Sequence, residues 1–320
     1  MTAPLVAIVT PTHNGARFLA ETMESVQKQI WRSVVHIVLD NNSTDGTAEI
    51  IANYSNKRVP VVSYYNHETL GQRDNWNRAY SHVPAEAAYV RYLCDDDTIT
   101  PDSVAKMAAL AENNPGVGAV GCLHHCAGAV QDFFWPKDRT VFNGTEAIRM
   151  TLLRQGVLMP VQMMWRKSVA DQLHPLFEDA VDSGWDLDAV LKMLTRSDFG
   201  FVHENLGFTR VHANTMTSLT SASKTRAWTR DALHLMTRYG PLAFGPEYSA
   251  QLLRFRRYYV RRIIAWWKQD HGRENLGIHL DALDKAGWKF SAPLALDALA
   301  DWACVKIGMR RNWSGYPGWQ

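Results

Sequence analysis

The sequence predicts an α/β fold: a mostly parallel sheet flanked by helices, with a helical C-terminal extension. Three observations predict it. Short apolar, β-branched runs alternate with helical patterns through the first half; polar and acidic clusters follow three of those runs; and the last hundred residues turn basic, aromatic and helical. Strands alternating with helices of this length imply a sheet covered on both faces, with ligands collecting at the carboxyl ends of its strands.

The strand candidates are 5–10, 34–40, 59–66, 89–94 and 117–122, each rich in Val, Ile, Leu and Tyr. Between them, 16–29, 44–54, 72–82 and 102–113 carry apolar residues at helical spacing, the last one opening after Thr100-Pro101. At 320 residues, with 46% hydrophobic and 21% charged residues, the chain can bury a substantial core. The organisation expected is a catalytic domain over 1–220, with a nucleotide half of about 1–120 and an acceptor half of about 121–220, then a helical, basic and aromatic region over 221–320.

Four cysteines without CxxC spacing argue against a disulfide framework, and Cys122/Cys126 with His124 and His125 lack a convincing further zinc ligand. Reduced thiols, a start without a signal-peptide pattern and no run of about 18 apolar residues point to a cytoplasmic protein. Net charge is +2, yet from Ser221 onward 16 Lys/Arg face 8 Asp/Glu, a net +8 that leaves −6 on the first 220 residues.

The three polar clusters carry the chemistry. Thr10, Pro11, Thr12, His13 and Asn14 follow the first strand, Asp40 to Gly46 the second, and Asp95, Asp96 and Asp97 the fourth. Three adjacent carboxylates repel one another unless a cation is near, and hard oxygen donors suit Mg2+ or Mn2+ bound jointly with phosphates. The alternative is an acidic turn in which Asp96 or Asp97 caps the next helix. Asp40 invites the same comparison: Ser43 or Thr44 serves as a helix cap, whereas a carboxylate at a strand end can accept hydrogen bonds from a nucleobase imide or a ribose hydroxyl.

The order and spacing of VAIVTPTHNGARFLAETMESVQKQ, LDNNSTDGT, HETLGQRDNWNRAY and YVRYLCDDDTITPDSV resemble the family 2 glycosyltransferases of GT-A fold through about residue 220. The resemblance implies an inverting, metal-dependent transferase. It would move a sugar from a nucleotide-diphosphate-sugar, uridine being favoured, to a hydroxyl of a glycan or lipid-linked glycan in cell-surface polysaccharide synthesis. It implies nucleotide binding by Thr10, Pro11, Thr12, Asn14, Asp40, Asn42, Gly71, Arg73, Asn77, Asp95 and Asp96, and metal binding by Asp97, Asp95 and His212. Cys94 stands where many relatives have the first Asp of D-x-D-D, which leaves the direct ligand open among the three. In SGWDLDAVLKML, Asp186 takes the place of the catalytic base and Trp185 that of a common Glu; helix capping is the other reading of Asp186, and Asp188 is the spare base. Arg210 or Ser218 would hold leaving-group charge. Donor choice would depend on Asn75, Trp76, Asn77 and Arg78. Competing readings are a sugar-phosphate nucleotidyltransferase, whose glycine-rich loop is missing, and a catalytically inactive nucleotide-sugar-binding protein.

In the last third, 252–268 reads as a two-faced helix with Arg254, Arg257, Arg261 and Lys268 in one stripe and Leu252, Phe255, Tyr259, Ile263 and Trp266 opposite. Packing on the protein with the basic stripe in water competes with peripheral attachment to an anionic membrane surface at the inner face of the plasma membrane. Nucleic acid is not expected, because aromatics do not interleave with the arginines. Trp288, Trp302, Trp313 and Trp319 fit either core or sugar-stacking roles, and a homo-oligomer stays open.

Overall fold

A computed structural model describes residues 3–181, 183–212, 226–268, 276–310 and 312–313. Ser218, Trp319 and the expected boundary at 220 lie outside them. The described chain forms two compact units: residues 1–147, 158–178 and 185–211, and residues 148–157, 179–184 and 212–320.

The first unit is built on one sheet. Its strands are β1 (Val6–Thr12), β2 (Val34–Asp40), β3 (Val61–Tyr65), β4 (Tyr89–Tyr92), β5 (Thr98–Ile99), β6 (Val117–Cys126), β7 (Ala129–Val130), β8 (Val141–Phe142), β9 (Met164–Arg166) and β10 (Asp198–Thr209). The order is β3-β2-β1-β4-β9-β6-β10-β5, with β7 on β6 and β8 on β10. β1, β2, β3 and β4 run parallel, and so do β6 and β10, but β9 lies antiparallel between β4 and β6. The sheet is therefore mixed, with a parallel half where the sequence pattern is strongest.

β1 and β2 are buried along their whole length, which their continuous apolar runs require. Helices α1 (Leu19–Gln27), α2 (Thr47–Ala52), α3 (Gln72–Ser81) and α4 (Ser103–Asn113) connect the strands. Val104, Met107, Ala108 and Ala111 of α4 pack with Val26 of α1 against Val6, Ile8, Tyr89, Val117 and Val120 of the sheet. Leu19 and Met23 of α1 meet Val38 of β2 and Ile51 and Tyr54 on and beside α2. α3 packs on β1 and β2, with Trp76 stacked on Tyr92 at 4.6 Å. Because β2 and β3 extend from one side of β1 and β4 from the other, the chain reverses direction across the sheet between β1 and β4. A crevice opens at the carboxyl ends of such a pair.

Further elements are α5 (Gly144–Leu152), α6 (Lys167–Ala170) and α7 (Trp185–Leu194). The second unit contains α8 (Ala227–Phe244), α9 (Tyr248–Lys268), α10 (Leu276–Lys285) and α11 (Ala292–Lys306). Phe255, Tyr259, Ile263 and Trp266 of α9 are buried, as the two-faced pattern predicts. Within the basic stripe, Arg257 pairs with Asp297 at 2.7 Å and Arg261 with Asp301 at 2.5 Å, both acids lying on α11, while Arg254 is exposed. Trp313 is buried edge-on against Phe255. No helix among the described residues is long and apolar enough to cross a membrane.

Candidate active site

The crevice between β1 and β4 gathers the first and third polar clusters. Thr12, the last residue of β1, donates its hydroxyl to Asp95 Oδ2 at 2.5 Å. Gly15 makes this approach feasible, since a Cβ there would lie 2.3 Å from Thr12 Oγ1 and 2.5 Å from Asp95 Oδ2. Asp95 also accepts the backbone N–H of His13. The acidic turn is tied down from α1, where the Thr22 hydroxyl reaches the carbonyl oxygens of Asp95 at 2.9 Å and Asp97 at 2.8 Å.

The second cluster docks beside it. Asn14 adopts a positive φ of 52°, a conformation asparagine tolerates, and its side-chain oxygen accepts the Thr44 N–H at 2.9 Å while its own N–H donates to Ser43 Oγ at 2.8 Å. Asp40, at the buried end of β2, accepts the Ser43 N–H at 2.9 Å, and Asn42, also at positive φ, donates to Thr69 at 3.3 Å. Neither Ser43 nor Thr44 caps α2, whose N-terminal flanking residue is Gly46; Asp45, one residue earlier, accepts the Thr47 N–H at 3.0 Å. Asn41, Asn66 and Asn75 form a buried amide chain that holds Leu70 and, next to it, Gly71 at the start of α3. Arg73 is half-buried on the first turn of α3.

Four expected site residues are used elsewhere. Asn77 clamps the backbone of Phe177 from both ends of its amide, at 2.8 and 3.0 Å, and Asn75 and Trp76 are buried within the scaffold. Asp188 is fully buried beside Lys192, which pairs with Glu178 at 2.9 Å, so the spare base is removed from solvent. Trp185, in place of the common Glu, packs edge-on to Trp76 and Phe177.

Asp97 is the most enclosed carboxylate. It accepts the Arg210 N–H at 2.9 Å, the Gln162 amide at 3.1 Å and, more distantly, the Thr209 hydroxyl at 3.5 Å. Burial first, and the charge of Asp96 second, push its carboxyl up to about 8; burial leads again in raising Asp95 to about 6. Behind Gln162 stands Arg91, a fully buried cation bonded to Ser103 and Met107, with a longer contact to Gln162 at 3.4 Å. Arg210 donates to the Asp96 carbonyl at 3.0 Å and to Glu21 at 2.7 Å, stacked over Phe18. Gln162 and Thr209 lie outside the motifs quoted above, and Thr22 and Arg91 lie within them without having been singled out.

Donor atoms of Cys94, Asp96 and Asp97 lie within 4.8 Å of one another. Asp96 and Asp97 are the carboxylates of that group, while Asp95 is engaged by the Thr12 hydroxyl and the His13 N–H. Burial and the surrounding carboxylates, Asp186 among them, hold the Cys94 thiol well above its ordinary range, which makes it a poor anionic ligand and leaves the two carboxylates as the donors. Two close carboxylates, that of Asp97 buried, fit a hard divalent ion that phosphates and water would complete. The acidic turn does not cap α4, whose N-terminal flanking residue is Asp102. Asp186, in the first turn of α7, accepts the Leu187 N–H at 2.7 Å, and its charge is felt at Cys94. His212 is half-buried and belongs to the second unit.

The family model "Glycosyl transferase family 2" matches residues 7–173. A Bacillus subtilis glycosyltransferase named for teichuronic acid biosynthesis is 33% identical over 105 residues, 32% of this chain and 40% of that one. The GalNAc(5)-diNAcBac-PP-undecaprenol beta-1,3-glucosyltransferase of Campylobacter jejuni is 26% identical over 104 residues, 32% and 33% of the two chains. The chain thus spans about a third to two thirds of the curated relatives it matches. Among solved structures, S. aureus TarS 1–349 with UDP-GlcNAc superimposes with a TM-score of 0.61 at 12% identity, over 90% of this chain and 93% of that one. The mannosyltransferase PcManGT from Pyrobaculum calidifontis, with GDP-Man and Mn2+, gives 0.57 at 17% identity, over 97% and 83%.

Proposed function

The chain belongs to glycosyl transferase family 2, and we propose that it moves a sugar from a nucleotide-diphosphate-sugar to a hydroxyl of a glycan or lipid-linked glycan, with inversion. The observation that carries the reading is the convergence of Thr12, Asp40, Asp95, Asp96 and Asp97 at the carboxyl ends of parallel β1, β2 and β4, joined by the Thr12–Asp95 bond. That edge is where such a sheet receives a nucleotide.

In this reading Asp40 accepts hydrogen bonds from the base or ribose, and the 10–14 turn with Asn42, Gly71 and Arg73 lines the nucleotide pocket. Asp96 and Asp97 hold Mg2+ or Mn2+, which supplies neutralisation of diphosphate charge. Gln162, Thr209 and the Arg210 N–H orient Asp97, and the Arg210 guanidinium adds positive charge beside the turn. Asp186 takes the proton from the acceptor hydroxyl as it attacks the anomeric carbon opposite the departing diphosphate. UDP is the favoured leaving group, since the TarS neighbour was solved with a UDP-sugar. The names of the Bacillus and Campylobacter relatives support a place in cell-surface polysaccharide synthesis.

The test is nucleoside diphosphate release from UDP-glucose, UDP-GlcNAc, UDP-galactose and GDP-mannose with Mn2+, with and without acceptor glycans. Turnover of one donor, lost by at least a hundredfold in Asp186→Asn while UDP binding persists, is expected. A wild-type enzyme inert toward every donor, or an Asp186→Asn variant as active as wild type, would remove the proposal.

A further inference from the structure

α11 turns its acids inward and an apolar stripe outward. At about 100° per residue, Ala292, Leu296, Leu299, Ala300, Ala303 and Ile307 fall within an arc about 100° wide. All six are exposed, Leu296 at 67%, Leu299 at 44% and Ile307, the residue flanking the helix, at 70%. Phe290 before the helix and Met309 after it are exposed as well. The other side of α11 holds its polar groups: Asp297 accepts from Arg257 and Asp301 from Arg261, both arginines belonging to α9, and Ala298 is fully buried. A helix packed on a protein core ordinarily shows the reverse, with apolar residues inward and charges in water. A contiguous apolar stripe left in solvent marks an interaction surface, which singly scattered leucines do not.

Charge selects the occupant. Between residues 289 and 310 the acids are Asp297 and Asp301, both engaged by arginines, whereas Lys289, Lys306 and Arg310 are all exposed. Lys306 lies over the Trp302 ring at 4.7 Å, and Arg310 bonds Asp301 at 2.8 Å with half of its side chain still in solvent. The stripe thus has cations at both ends of its segment and no exposed acid within it. A second copy meeting this face about a two-fold axis would bring the same cations against one another. A bilayer with anionic headgroups satisfies both features at once, offering hydrocarbon to the leucines and phosphate to the cations. With 15 residues α11 is too short to cross such a bilayer, so it would lie along the surface.

We propose that α11 is an interfacial helix that attaches the chain to an anionic phospholipid surface, with Leu296, Leu299 and Ile307 seated below the headgroups and Lys289, Lys306 and Arg310 among them. The basic stripe of α9, which the charge pattern alone puts in this role, instead holds α11 in place through Arg257 and Arg261. The proposal does not rest on the transfer chemistry.

Cosedimentation of the whole chain with vesicles of phosphatidylcholine, alone or mixed with phosphatidylglycerol, tests it. Each lysine or arginine near an anionic surface contributes about fivefold in affinity, so wild type is expected to bind the mixed vesicles at least twentyfold more tightly than the neutral ones. A triple variant, Leu296→Gln with Leu299→Gln and Ile307→Gln, keeps good helix formers on the helix and should lose at least tenfold in affinity at an unchanged melting midpoint. Lys289→Gln with Lys306→Gln should lose about twentyfold on mixed vesicles and little on neutral ones, and it carries the test if the triple variant fails to fold. Wild type that does not bind mixed vesicles, wild type that binds neutral vesicles equally well, or either folded variant binding like wild type overturns the proposal. A wild-type dimer in light scattering that the triple variant dissolves, with no vesicle bound, also overturns it and assigns the stripe to a second copy. Binding is read without donor or metal, so its failure leaves the transferase reading standing.

Discussion

Replacing Asp97 by Asn should stabilise the protein when no metal is present and abolish its response to metal. Asp97 is buried beside Asp96, and its carboxyl rises from 3.8 to about 8. Between those values the folded state keeps a proton that the unfolded chain releases, so this group's contribution to stability falls as pH rises through the window. Each unit corresponds to about 1.4 kcal/mol, giving a ceiling of about 5 kcal/mol near pH 8 and about 2 kcal/mol near pH 5.5. Water entering the metal-free site reduces the figure at pH 8 to about 2–4 kcal/mol. Asn stays neutral and keeps an acceptor for the Arg210 N–H, but turns a donor toward the Gln162 amide, costing about 1 kcal/mol. In EDTA at pH 7.8, Asp97→Asn should therefore be more stable than wild type by about 1–3 kcal/mol, raising the melting midpoint by several degrees. The gap should narrow at pH 5.5. Adding Mn2+ at the higher pH should raise wild type only. A variant less stable than wild type at pH 7.8 without metal would refute the reasoning, because Arg91 and Gln162 would then suffice to compensate the charge.

Three further perturbations follow. Gly15→Ala drives a methyl into Thr12 Oγ1 and Asp95 Oδ2, so UDP affinity should fall at least tenfold in calorimetric titration while the melting midpoint shifts by only a few degrees. His36 is buried on β2 against Thr10 at 2.9 Å, and burial depresses its imidazole from 6.5 to about 3. Its contribution is complete above pH 6.5 and is lost as pH falls toward 3. Between pH 7 and 5 wild type should lose up to about 2 kcal/mol in urea titrations that His36→Gln does not lose. Asp301→Ala removes the carboxylate that Arg261, Arg257 and Arg310 share, leaving Arg261 its bond to Asn312, and should cost about 3 kcal/mol by the same assay, against less than about 1 kcal/mol for Lys285→Ala at an exposed pair.

The parallel half of the sheet was legible because β1 and β2 open on apolar, β-branched runs and are buried along their whole length, and a strand covered on both faces leaves that mark. β9 left none: three residues after a Pro-containing turn are too short for a period, and their antiparallel insertion depends on β4 and β6 being in place. Within the site, Asp40 and the triple Asp stood out as charge where a strand ends. Gln162 and Thr209 did not, since a neutral side chain has no distinctive spacing and acquires its role only by reaching Asp97 across the sheet. Asp95 and Asp96 are alike in sequence; the Thr12 hydroxyl and the His13 amide, far away in the chain, engage Asp95. The stripe of arginines on α9 was read correctly as a face, but its destination depended on Asp297 and Asp301, 40 residues onward.

Titration of UDP, GDP and dTDP into wild type and Asp97→Ala, with Mn2+ and with EDTA, tests for a metal-assisted nucleotide site at the ends of β1, β2 and β4. One nucleotide should bind in Mn2+, EDTA should weaken it at least tenfold, and Asp97→Ala should abolish the metal's contribution. Binding of no nucleotide in the presence of metal, or binding equally tight in EDTA and in the variant, would contradict it.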